Sequence, residues 1–161
     1  LITGRYPQNT PVTNNNIRLG DNIITFAEVL RSKGYKTGYS GKWHLDGTGK
    51  PQWQPKRNFG FSDNRYMFNR GHWKKFITTK TGPQIGSTNK RGMPDYKLNG
   101  ANKKTFSTDW LADRTVDFLN TNQGKPLVPY ERGKHPPSKR AVTRHKAPYQ
   151  TPNDANWPDY E

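Results

Sequence analysis

The 161-residue chain contains no cysteine. That removes disulfide frameworks and thiolate metal sites, and it leaves the redox compartment open. Acidic residues are scarce, with 12 Asp and Glu against 27 Lys and Arg and a net charge of +15. Apolar residues make up only 29% of the chain, a level at which burial struggles to offset chain entropy, so much of it is expected as loop. No apolar run approaches the roughly 18 residues that cross a bilayer, and no secretory signal is visible. Aromatics are the counterweight. Five Trp, eight Tyr and seven Phe are more than disordered segments carry, and they argue for an ordered core.

A basic balance of this size suits an anionic partner: nucleic acid, anionic lipid, or a sulfated or phosphorylated substrate. The plain alternative is a local accident of loops. Arg132, Lys134, Lys139, Arg140, Arg144 and Lys146 fall within residues 132–146 with no acid among them. Arg57, Arg65, Arg70, Lys74 and Lys75 are interleaved with Trp53, Phe59, Phe61, Tyr66, Phe68 and Trp73, a mixture that can stack and neutralise single-stranded nucleic acid. No nucleic-acid motif accompanies it. Aromatics that merely anchor an ordered loop are the simpler reading.

Local signals divide the chain. Thr25-Phe26-Ala27-Glu28 is a capping box, so a helix follows, with Phe26, Val29 and Leu30 on one apolar face and Gly34 at its left-handed cap. Residues 35–40 read as a short strand ending at Gly41. Helix, glycine, strand and loop make half of a βαβ unit, which implies a parallel sheet. Residues 46–76 show no single period. Residues 79–104 are polar and rich in Gly, Asn and Lys, as in an exposed excursion or hairpin-like insertion. Ser107 or Thr108 caps a second helix with the stripe Leu111, Ala112, Thr115, Val116, Phe118 and Leu119. Beyond Gly124-Lys125-Pro126, Pro129 interrupts the strand expected at Leu127, and residues 127–146 are expected to be irregular.

The chemistry concentrates in Gly34-Tyr35-Lys36-Thr37-Gly38-Tyr39-Ser40-Gly41-Lys42-Trp43-His44. Lysine and histidine stand at i and i+2 just past a strand, where open α/β sheets gather reactive groups. A compact ammonium and a proton-moving imidazole suit an anionic, oxygen-rich group. A solvated lysine and a loop histidine are the bland equivalent. These eleven residues, however, resemble the second signature of the sulfatase family, G-Y-x-T-x-x-x-G-K-W-H, without a mismatch. Leu1-Ile2-Thr3-Gly4-Arg5-Tyr6-Pro7 resembles the tail that follows the C-x-P-S-R core of the first.

The resemblance implies an α/β fold: part of an alkaline-phosphatase-like sulfatase domain, a mostly parallel sheet flanked by helices, with long loops. It divides the chain into a well-matched 1–126 and a poorly matching continuation over 127–161, where a reading-frame error within 127–146 is one explanation. It implies hydrolysis of sulfate esters of sugars or other small molecules by a formylglycine made from the cysteine or serine of the missing core. The chain therefore reads as an internal piece. By position, Lys42 would bind the sulfate and stabilise its charge, and His44 would orient or deprotonate the formylglycine hydroxyl. His135 would serve as acid for the leaving alcohol, with His145 as the other choice. His72 reads as a structural or rim residue. A calcium ion is implied, but no metal ligand can be assigned to this chain. The family often continues with Gly where this chain has Asp46. A periplasmic or secreted setting follows from the resemblance, and nucleic acid is not the expected partner. The reading from a different class is a small basic module that binds polyanions or nucleic acid.

Overall fold

The computed structural model describes residues 2–98 and 100–132. Over these it is a mixed α/β structure. A three-stranded parallel sheet has the order β2-β1-β5, with β1 (Lys36–Lys42) in the middle, β2 (Asp63–Phe68) on one side and β5 (Leu127–Arg132) on the other. Helix α1 (Phe26–Ser32) precedes β1 and α2 (Ser107–Thr121) precedes β5. A separate antiparallel hairpin, β3 (Phe76–Thr79) with β4 (Gly82–Ile85), lies in the long connection between β2 and α2.

Helix α1 starts on the expected capping box. Thr25 Oγ1 accepts from Glu28 N at 3.2 Å, and Thr25 N donates to Glu28 Oε2 at 2.7 Å. Gly34 follows with φ +86°. The buried face is not the expected one, because Val29 is exposed and Ala27 is fully buried. The reason is close packing. A Cβ on Gly60 would lie 2.2 Å from Glu28 N and 2.5 Å from the Ala27 carbonyl carbon. The 58–62 loop thus presses backbone to backbone on α1, and only a small side chain fits beneath it.

Strand β2 was not legible from the sequence. Its core partners are non-local: Phe59 and Phe61 are fully buried with Tyr39, Trp43 and Met67 around β1. The loop before β2 is fastened to β1 through Thr37, whose Oγ1 donates to Gly60 O at 2.6 Å while Ser62 Oγ donates to Thr37 O at 2.8 Å. The aromatics of residues 46–76 are chiefly core anchors. Arg57 is structural as well, spanning the carbonyls of Leu19, Gly20 and Ile23 at 2.9–3.0 Å and lying 4.7 Å from the Phe59 ring centroid.

Helix α2 covers the sheet next to β1, where Gly38 leaves room for the Phe118 ring. Its N-cap is Phe106, without a side-chain cap bond, so Ser107 and Thr108 are the first helical residues and not the cap. Trp110, outside the expected stripe, is buried with Phe68, Phe76 and Leu111 in a second aromatic cluster.

Irregular structure from residue 127 onward is corrected over 127–132. Leu127–Arg132 is a strand, parallel to β1, with Pro129 opposite Gly38. Proline is tolerated because β5 pairs on only one side among the described residues, and a missing N–H on the open side removes no ladder bond. Residues 133–146, and with them His135 and His145, lie outside the described residues.

Candidate active site

The site is built from the carboxyl end of β1. Gly41 has φ +133°, a conformation L side chains rarely adopt. Lys42 ends the strand half-buried, Trp43 is 1% exposed, and His44 is half-buried again. The indole turns into the core against Tyr39 (5.1 Å) and Phe59 (4.6 Å), while its two polar neighbours stay half-buried.

Both flanks of His44 are fixed by backbone bonds. Trp43 N donates to Phe68 O at 2.7 Å, and Leu19 N donates to Leu45 O at 3.0 Å. Tyr39 Oη donates to Lys42 O at 2.8 Å. The backbone that carries the lysine and the histidine is thus fixed, with little chain entropy left to lose.

Two residues further lies a polar group that the motif alone did not predict. Asn69 Nδ2 lies 3.5 Å from Asp46 Oδ2 and donates to Pro51 O at 2.7 Å, and Arg70 donates to Lys50 O at 2.8 Å. Burial pushes the Asp46 carboxyl above its ordinary value, and Lys50, Arg18, Arg57 and the Asn69 amide pull it back. Burial likewise holds the Lys50 ammonium below its ordinary value, opposed by Asp46. Lys50 Nζ and Asn69 Oδ1 are buried without hydrogen-bond partners. Asp46 was visible as a departure from the motif. Lys50 and Asn69 were not, because only the pairing of residues 50–54 with 67–70 brings them to it.

The structure places Lys42 at the end of β1 with His44 two residues beyond it, sets His72 beside Tyr96, and leaves His135 outside the described residues. Among the described residues no group of three or more His, Asp or Glu could hold a metal ion. Asp46 alone does not fit calcium, which takes six to eight oxygen ligands.

The model of the Sulfatase family matches residues 1–152 in one stretch that crosses residue 126. The chain belongs to the sulfatase family. It is 42% identical over 62 residues to an ulvan-active sulfatase of Formosa agariphila, covering 38% of this chain and 12% of that protein. It is 26% identical over 133 residues to an N-acetylglucosamine-6-O-sulfatase of Bacteroides thetaiotaomicron, covering 79% of this chain and 19% of that one. The fold matches the crystal structure of the yidJ protein of Bacteroides fragilis with a TM-score of 0.54 at 23% identity, over 87% of this chain and 33% of that one. The chain therefore spans a third or less of each of these proteins.

Proposed function

We propose that this chain supplies the sulfate-contacting lysine and histidine of a sulfate-ester hydrolase acting on sulfated carbohydrates. The observation that carries the proposal is the pair Lys42 and His44, held on either side of buried Trp43 at the carboxyl end of the central strand. In this reading the Lys42 ammonium stabilises charge on the transferring sulfate, a contribution of about 3–4 kcal/mol by analogy with one oxyanion donor. His44 takes or holds the proton of the hydroxyl that expels sulfate from the enzyme. The ulvan and N-acetylglucosamine sulfatases favour a carbohydrate substrate.

The sequence holds no C-x-P-S-R or S-x-P-S-R core, so the formylglycine nucleophile and the calcium ligands belong, in this reading, to residues outside this chain. His135 is the proposed leaving-group acid, and an exported enzyme, periplasmic or secreted, is the setting the reading implies.

Two assays test it. Residues 1–161 with calcium should not turn over nitrophenyl sulfate, and turnover abolished by Lys42→Ala would show that the nucleophile is within the chain. In a complete enzyme carrying this segment, His135→Ala should slow sulfate release from sugar alcohols far more than from nitrophenol, which needs no acid to leave. Equal slowing of both substrates would remove His135 from the role.

A further inference from the structure

Between β2 and α2 the chain makes an excursion whose charge and surface differ from the rest. Residues 70–108 contain nine lysines and arginines against one carboxylate, Asp95. The excursion is closed at its neck, where Phe76 N donates to Thr105 O at 2.8 Å and Ser107 N donates to Lys74 O at 2.9 Å. Its inner side is seated on the second aromatic cluster through Phe76, Trp73 and Ile85. Its outer side is unusually apolar for so cationic a segment. Met93, Tyr96 and Leu98 are 61%, 51% and 57% exposed.

Tyr96 is held as a platform. Its ring lies against the Trp73 indole with centroids 4.5 Å apart and planes 32° from parallel, and the His72 ring meets it at 6.0 Å. The indole is fixed in turn: its Nε1 donates to Arg70 O at 2.7 Å, and Gly71 packs so closely on it that an added Cβ would lie 2.1 Å from the ring. Asp95 N donates to Ser87 O at 2.9 Å and Asn89 N donates to Met93 O at 2.8 Å, so a small hairpin sets the backbone entering Tyr96. The Tyr96 ring is half exposed, backed by a second ring, in a segment rich in cations.

We infer that Tyr96, backed by Trp73 and flanked by His72, is a docking platform for one ring of a sulfated polysaccharide. The C–H face of a pyranose carries slight positive charge and meets the negative face of an aromatic ring favourably. The lysines and arginines of the same segment can neutralise sulfate groups on the same polysaccharide. Nucleic acid fits less well, because it needs successive open rings, whereas Trp73 is covered by Gly71 and Tyr96 and leaves one. The platform is also within reach of the candidate site. Phe68 is in register with Lys42, and Trp73 follows it by five residues, at most about 18 Å of extended chain. The sulfated-saccharide class rests on the sulfatase reading above; the platform itself rests on these contacts alone.

Binding of a sulfated galactan hexasaccharide to the 161-residue chain, measured by titration calorimetry, tests this without catalysis. Tyr96→Ala should weaken binding at least tenfold, and Tyr96→Phe and the remote exposed Tyr6→Ala should leave it within twofold. The desulfated hexasaccharide should bind at least tenfold more weakly than the sulfated one. Transfer of magnetisation from sugar protons to the Tyr96 ring should be seen in the wild-type chain, which keeps the test decisive if Tyr96→Ala misfolds. Binding indifferent to Tyr96→Ala, or no transfer to Tyr96 in a bound complex, overturns the platform. A single-stranded oligodeoxynucleotide of equal charge that binds more tightly, with the same Tyr96 dependence, overturns the saccharide assignment. Because none of these results depends on turnover, failure here leaves the roles of Lys42 and His44 untouched.

Discussion

Two segments leave the same carboxyl edge of the sheet and end in opposite conditions. The 43–50 loop leaves β1 with Trp43 buried, His44 clamped between two backbone bonds and glycines at its turns. The 70–106 excursion leaves β2, carries most of the local positive charge and exposes Met93, Tyr96 and Leu98. The first is fixed by core packing and long-range backbone bonds, and the second is closed at its neck and open above it. Fixing a side chain to a fraction of an ångström suits chemistry on a small group, whereas an open cationic surface suits capture of an extended anion. The same fold edge thus separates positioning from recruitment.

That contrast predicts a graded response to mutation. Gly60→Ala should be the most damaging change, costing about 4 kcal/mol or more and leaving little folded protein in a denaturant titration, since its Cβ would strike the α1 backbone at 2.2 Å. A Gly60→Ala protein of normal stability would mean that the loop does not press on α1 as described. Trp43→Ala should cost about 3–5 kcal/mol through loss of a fully buried ring. Urea unfolding would read it, and a loss below about 1 kcal/mol would break the claim that the indole holds Lys42 and His44 apart from the core.

The Asp46 group should show as a pH dependence. Its carboxyl titrates higher in the folded chain than the ordinary 3.8, so the folded state holds its proton longer and stability falls as pH rises through the interval above that value. Asp46→Asn should flatten that fall in thermal melts taken from pH 4 to 7, and an unchanged slope would assign it to other groups. Tyr96→Ala, which loses the ring contact with Trp73 but no core packing, should lower stability by only about 1–1.5 kcal/mol. A larger loss would show that the excursion is part of the core and not a surface set upon it.

What could be read from the sequence was local. The Thr25–Glu28 capping box, the Gly34 cap and the strand before Gly41 each follow from neighbours in sequence, whereas the β3–β4 hairpin begins at Phe76, ahead of the 79–104 stretch read as an excursion or hairpin-like insertion. Strand β2 was hidden because Asp63-Asn64-Arg65-Tyr66-Met67-Phe68 has no clean alternation, and its identity comes from pairing with β1. Strand β5 was hidden by Pro129, which is excluded from a strand paired on both sides and not from one that, among the described residues, is paired on a single side. Trp110 escaped a stripe drawn from aliphatic spacing. For the candidate site, Lys42 and His44 are proposed from one short motif, while Lys50 and Asn69 join Asp46 only through a pairing that the sequence does not announce.

The central claim is that Lys42 acts on the transferring group and not on the fold. The direct measurement is kcat beside melting temperature for Lys42→Ala, Lys42→Arg and His44→Ala in a complete enzyme carrying this segment. The account predicts kcat lower by about a hundredfold or more in Lys42→Ala and His44→Ala, with melting temperatures nearly unchanged. Lys42→Arg should also fail, because a planar fork does not replace a compact ammonium in a confined site. Full activity in Lys42→Ala, or activity lost only in step with stability, would contradict it.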